Sequence, residues 1–330
     1  MGRVERAFRS LAAADWLVGG YLVMLNVAVL IAPPHPERGQ GLLQVIGLLT
    51  VYLLSMALVR GELLREGFWS ALLYRVGIYG TVQQSYFFFK HLLPVINPGS
   101  LDHELYALDL RLFGVEPAVW MDRFVTPTTT EWFAFFYFCY FFLLAAHVIP
   151  IVLGAKNQML LGEFMLGMLI IVCLGHTGYL VVPGFGPYKA MPELFRNELP
   201  SGMWMDLVWS TVRSSGAMKD IFPSLHTAGP CFIAMFSWRN RQRLPFRYTW
   251  PLLAFFAINI IGATMFLRWH YVIDVVAGFA LASAAAFVSP RVSRWELERR
   301  KDGRLGILVP LFGGSAPRRA PENVGRAAAN

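Results

Sequence analysis

Charge is scarce in this chain. Asp, Glu, Lys and Arg make up 15 % of its 330 residues, while apolar residues make up 56 %. The mean hydropathy is +0.48. A water-facing globule carries about 25 % charged residues, so a soluble protein of this length is excluded. Cysteine is equally scarce: Cys139, Cys173 and Cys231 all fall in apolar stretches, at no zinc-ligand spacing. That excludes a disulfide scaffold, and each thiol reads as a small buried apolar group. The compositions of disordered and collagen-like chains are absent, as are internal repeats and the alternating pattern of a strand barrel. Without a barrel, helices are the only way to cross a bilayer.

A spanning helix needs about 20 mostly apolar residues. Eight stretches qualify: 16–33, 42–59, 67–87, 132–155, 160–183, 222–238, 248–267 and 271–289. The third contains Arg75 and is the weakest. The first follows Arg3, Arg6 and Arg9 without a small-residue cleavage site after it, which reads as an uncleaved anchor. The expected fold is therefore all-α: a polytopic membrane bundle of about eight transmembrane helices. Residues 1–66 read as an N-terminal hairpin, 67–290 as the main membrane domain and 291–330 as a basic, partly disordered tail.

Lys and Arg set the orientation. With the N-terminus inside, the inner loops and tail hold 19 of the 29 basic residues. Both termini are therefore expected in the cytoplasm, with the loops 96–130 and 184–221 on the periplasmic or lumenal side. The net charge of +8 reads as this topology signal. No motif for reading nucleic acid accompanies it.

Three polar clusters converge at the outer face under this topology. Span six opens with Phe222-Pro223-Ser224-Leu225-His226, and span eight with Arg268-Trp269-His270-Tyr271-Val272-Ile273-Asp274. Span five ends in Gly184-Phe185-Gly186-Pro187-Tyr188-Lys189. His270 and Asp274 are spaced i, i+4 and share a helix face. Asp274 would fix the tautomer of His270 and leave its other nitrogen free as a nucleophile. His226, from another helix, would supply a proton to a leaving group. Ser224 and the nearby backbone N–H groups suit phosphate oxygens, and Lys189, Arg196 and Arg268 are candidate cations for the same anion. A two-His, one-carboxylate metal triad from His226, His270 and Asp274 is the competing reading, disfavoured by the nearby cations. Taken singly, each residue also reads as a cap or an interfacial side chain.

These residues resemble a known family. Phe222-Pro223-Ser224-Leu225-His226 is similar to the second motif of the type-2 phosphatidic acid phosphatase superfamily, with Leu225 as in the branch of fungal inositol phosphorylceramide synthases and their bacterial relatives. Thr264 to Asp274, with its His-Tyr-x-x-Asp, resembles that branch's third motif. Leu101-Asp102, Leu112-Phe113-Gly114 and the aromatic Tyr137-to-His147 stretch resemble its N-terminal half, so the likeness covers about 95–290.

The resemblance implies a core of six helices and phosphoryl or phosphoester transfer without metal or cofactor. His270 would form a phosphohistidine, Asp274 would orient it and His226 would act as general acid. Water or an alcohol then releases the group. Two departures stand out. Lys189 and Arg196 match the first motif's separation, but Asn197 replaces its Pro. The third motif's usual Ser-Arg is Ala263-Thr264 here, so the nearest cation is Arg268.

His147, Tyr137, Tyr140 and His176 read as packing and hydrogen-bonding groups within helices. Residues 201–213, with Trp204 and Trp209, read as an interfacial stretch that roofs the site or anchors at the surface. The expected substrate is a lipid phosphate or phospholipid whose tail stays in the bilayer. Headgroup transfer to a lipid alcohol comes first, hydrolysis by water second, and a transporter or scaffold is the alternative of another class.

Overall fold

The computed structural model describes residues 3–215, 218–300 and 311. In chain order its helices are α1 (Arg3–Ser10), α2 (Ala13–Ile31), α3 (Arg38–Arg60), α4 (Phe68–Arg75), α5 (Thr81–Ile96), α6 (Asp102–Phe113), α7 (Pro117–Met121) and α8 (Pro127–Gly154). There follow α9 (Gln158–Val181), α10 (Pro187–Ala190), α11 (Met203–Ser215), α12 (Leu225–Arg239), α13 (Phe246–Phe266) and α14 (Val272–Arg299). No strand lies among the described residues.

Six of these helices are long and apolar enough to span a membrane: α2, α3, α8, α9, α13 and α14. The chain is an integral membrane helical bundle. Two of the eight expected stretches differ from a simple spanning helix. The third is one run from α4 to α5, joined by a π-helical turn at Val76–Gly80. The sixth is α12, which has 15 residues and begins only after the Ser224 N-cap. At 1.5 Å per residue it is about 22 Å long, short of the hydrocarbon thickness. Its first turn, which carries His226, therefore starts inside the bundle.

Apolar side chains are distributed as a bilayer requires. Leu43, Ile31, Ile258, Phe142 and Phe287 are exposed, while Leu22, Leu25, Phe164, Phe232 and Phe236 fill the core. Facing hydrocarbon, exposed leucine or phenylalanine has no water to avoid, so the usual inside-out rule of soluble proteins does not apply. Arg75, by contrast, is buried inside the bundle at 3 % exposure. Its guanidinium donates to Val152 O at 2.8 Å and to Ala71 O at 2.9 Å, which offsets the cost of burying an ion there.

The N-terminal helices are joined to the rest. Helix α2 packs on α9, and α3 packs on α5. At one end, Asp15 pairs with Arg60 at 2.8 Å and accepts from the Tyr74 hydroxyl at 2.5 Å. Glu296, near the end of α14, accepts the N–H of Ala13 at 2.5 Å, and Arg300 donates to Ser10 O at 2.8 Å. Helix α14 continues through Pro290 to Arg299. The expected disorder further along the tail concerns residues that, Leu311 excepted, lie outside the described ones.

Helices α9, α12, α13 and α14 form the centre, with α12 packed on the other three. The contact of α14 with the start of α12 is closest at Gly278, where an added Cβ would lie 2.3 Å from Ser224 O. Backbone cannot yield as a side-chain tip can. Gly278→Ala is therefore expected to cost about 1–3 kcal/mol, read as a lower melting temperature in detergent.

Candidate active site

Two of the carboxylates of helix α6, Asp102 and Asp109, are seven residues apart and thus on one face. Both are buried. Asp102 accepts the N–H of Phe185 at 2.9 Å, the N–H of Gly186 at 2.9 Å and the hydroxyl of Tyr271 at 3.0 Å. Asp109 accepts the N–H of Val272 at 2.7 Å and of Ile273 at 3.1 Å. It thereby satisfies orphan donors at the start of α14. Burial raises the pKa of Asp109, and the two N–H groups oppose that rise.

The segment after α13 is fixed from the other side by α9's exit loop. Gly186 has φ +85°, and a Cβ there would lie 2.3 Å from Trp269 O. Only glycine allows this approach. Tyr188 N–H then donates to Arg268 O at 2.9 Å. Arg268 itself ends α13 in the left-handed region, with φ +66°.

The outcome is a pair of histidines facing across a cleft. His270 Nδ1 lies 3.3 Å from Asp274 Oδ2, and the same carboxylate oxygen accepts Tyr271 N–H at 3.0 Å. Ser224 N–H donates to Asp274 O at 3.0 Å, which ties the two motifs together through backbone. The His226 and His270 ring centroids are 6.1 Å apart. His226 is held between Tyr137, stacked at 4.4 Å and 17°, and Tyr140 at 4.2 Å. Its Nε2 is buried without a hydrogen-bond partner in the structure. Both rings open onto a cleft with about 580 Å³ of space, the open solvent at its mouth included, and its walls include His226, His270, Asp220, Tyr86, Tyr137 and Phe185. Thr211 and Val212 of α11 also line it, which places the 201–213 stretch beside the site.

Burial lowers the pKa of His270 to about 4, against opposing effects of Asp220 and a backbone hydrogen bond at Ile221. The ring is therefore neutral at pH 7, with a lone pair available on the nitrogen that does not face Asp274.

The phosphate candidates divide. Lys189 stands with its Nζ 3.9 Å from the centroid of Phe185, a wall residue. Ser224 is buried and acts as the N-cap of α12, accepting Thr227 N–H at 3.3 Å. Arg268 is turned away from the cleft walls: it pairs with Asp122 at 2.8 Å, bonds Asn197 O and lies over Phe195 at 4.1 Å. Its position in sequence, two before His270, suggested a site cation, but the left-handed turn directs the side chain elsewhere. Arg196 is exposed, and its backbone N–H donates to Asp122 at 3.0 Å. Among the described residues no cluster of three or more His, Cys, Asp or Glu is arranged to hold a metal ion.

Three contributors escaped the sequence reading. Asp220 and Tyr86 are cleft residues outside any recognised motif. Asp109 lies on α6, inside the 96–130 stretch read from sequence as an outer loop. By contrast His176 is the buried packing group expected, its Nδ1 3.1 Å from the Tyr21 hydroxyl.

Residues 103–288 match the PAP2 superfamily. That is more than half of the chain, and the protein belongs to this superfamily. It is also 27 % identical over 204 residues to the phosphoinositol dihydroceramide synthase of Bacteroides thetaiotaomicron. That likeness covers 54 % of this chain and 63 % of the relative, so the chain spans less than two thirds of that protein's length. No solved structure matches. Membership supports a lipid phosphotransferase or lipid phosphatase in general terms.

Two substitutions test how the site is held. Asp102→Ala removes acceptors from three buried donors and is expected to cost about 2–5 kcal/mol, with faster amide exchange at Phe185 and Gly186. Glu116, the buried N-cap of α7, accepts Val119 N–H at 2.7 Å. Burial is the main cause that pushes its pKa from 4.5 to about 7. Between those values the folded protein holds the proton longer than the unfolded chain, so this group lowers stability as pH rises. Glu116→Gln is expected to flatten the melting-temperature slope across that window relative to wild type.

Proposed function

We propose that the cleft transfers a phosphoryl or phospho-headgroup group from a membrane lipid to an alcohol, through a covalent phosphohistidine on His270. The observation that carries this reading is the facing pair of rings 6.1 Å apart, with one nitrogen of His270 already engaged by Asp274. The other nitrogen, Nε2, attacks phosphorus. The N–P bond forms as the P–O bond to the leaving group breaks, and His226 gives that oxygen its proton. In the second half the acceptor oxygen attacks, the N–P bond breaks with its electrons returning to His270, and the acceptor's proton passes to His226. Asp274 holds the ring and balances the positive charge it carries in the intermediate. Lys189 at the rim attracts the phosphate. Water in place of the alcohol would make the same site a phosphatase, the second reading.

The substrate's tail stays in the bilayer while its phosphorus enters the cleft lined by residues of α5, α8, α10, α11 and the first turn of α12. The distribution of Lys and Arg over the loops supports cytoplasmic termini and a cleft on the periplasmic or lumenal side. The relative's name, a phosphoinositol dihydroceramide synthase, agrees with transfer to a lipid alcohol.

Purified protein supplied with phosphatidic acid, an isoprenyl diphosphate or phosphatidylinositol, with and without ceramide, tests this reading. New phosphodiester lipid is expected only with the acceptor. His270→Ala is expected to abolish it, and His226→Ala to slow it by about 10²–10⁴-fold. Phosphate release that ignores the acceptor would establish the phosphatase instead. Turnover that survives His270→Ala would remove the phosphohistidine.

A further inference from the structure

The stretch from Leu105 to Phe124 is inside out for a water-facing loop. Its three acids, Asp109, Glu116 and Asp122, are all buried. The charges left at its surface are Arg111 and Arg123. Around them Leu108, Leu112, Phe113, Trp120 and Phe124 are exposed, Leu112 by 58 %. Exposed apolar groups gathered in this way mark a surface that something apolar covers.

The arrangement is fixed from the inside. Leu105, Leu108 and Leu112 fall at i, i+3 and i+7, one stripe of α6. The stripe starts packed, with Leu105 buried beside Ile221 and Tyr271. It then runs off the bundle, so that Leu108 and Leu112 are bare. Glu104 and Arg111, also seven apart, share a different face and are both exposed. Gly114, with φ +73°, ends the helix, and Glu116 caps α7. Asp109 holds the N–H groups of Val272 and Ile273. Asp122 holds Arg268 at 2.8 Å and the side-chain amide of Asn197 at 3.0 Å. Rotating either helix to hide its apolar residues would strip these buried carboxylates of their donors.

The neighbours indicate the cover. Helix α6 packs on α14 and α7 on α13, and both partners are long and apolar enough to span the membrane. Val276 and Phe279 of α14 and Phe255 and Ile258 of α13 are exposed. Val276 is one helical turn beyond Val272, where Asp109 binds. The bare face thus adjoins the hydrocarbon-facing wall of the bundle. Its exposed charges are both positive, as lipid phosphates require. Arg123 also lies over the Trp120 ring at 5.0 Å, and tryptophan favours the headgroup level.

We propose that α6 and α7 lie in the plane of the membrane on the cleft side, docked on phospholipid. Leu108, Leu112, Phe113, Trp120 and Phe124 enter the boundary between headgroups and acyl chains, while Arg111 and Arg123 meet lipid phosphates. The helix whose inner carboxylates hold the His270 segment is thereby seated on the bilayer itself. That sets the cleft at the depth of the phosphate layer. The docking is independent of the phosphohistidine: it concerns where α6 sits, whatever His270 does.

The test is nitroxide depth measurement on the full-length protein in nanodiscs of phosphatidylcholine and phosphatidylglycerol. Labels are placed through Leu112→Cys and Glu104→Cys. Wild type treated in the same way gives the background from Cys139, since Cys173 and Cys231 are buried. At 112 the label is expected about 5–10 Å below the headgroup phosphates, with relaxation by oxygen exceeding that by a water-soluble nickel chelate. At 104 the order is expected to reverse. A label at 112 no deeper than at 104 would overturn the docking. So would protection of 112 from both reagents, which would mean that protein, such as a second copy of the chain, covers the face. If Leu112→Cys does not fold, Phe124→Cys decides by the same criteria.

Discussion

Two carboxylates of α6 hold the candidate site in place. Asp102 and Asp109 receive five hydrogen bonds from backbone and Tyr271, all at the point where α9's exit loop meets the start of α14. Each removes N–H groups from the exposed ends of elements, where they would otherwise need water. A short amphipathic helix outside the spanning set thus determines where His270 stands. The histidine has few bonds of its own, and its geometry is inherited from neighbours that do no chemistry. Sites held this way keep their aim because the supporting bonds are buried and satisfied.

Much of this was legible in the residues. The low charge and long apolar runs specify a helical membrane bundle, and six of the eight stretches are helices fit to span. The spacing of His270 and Asp274 puts them on one face, and their hydrogen bond has that geometry. What the sequence hid has physical causes. Helix α12 is shorter than its apolar stretch, because Ser224 caps it and Pro223 precedes it. Arg268 looked like a site cation by counting, but backbone handedness at the end of α13 turns it to Asp122. Asp220 and Tyr86 are 134 positions apart, and only packing brings them together.

The chain's two kinds of polar burial differ in purpose. Beside the cleft, His226 Nε2 and, behind His270, Asp274 Oδ1 are buried without partners in the structure. Groups left in that state are costly in a membrane protein and mark places where a ligand or a proton is handled. At the far end, Asp15, Arg60 and Tyr74 bond one another. They hold helices together.

That far-end cluster also has a bearing on how the protein is made. Asp15 and Arg60 lie on the first two spanning helices and meet as soon as that hairpin is inserted. Glu296 and Arg300, which bond Ala13 and Ser10, come from the end of the last helix. The first long helix thus waits for α14, with Glu296 283 positions further on, before its leading N–H finds its acceptor. Until then the opening hairpin is a membrane-inserted piece with one end unfinished, and the closing turn of α14 acts as the latch that joins it to the rest of the bundle.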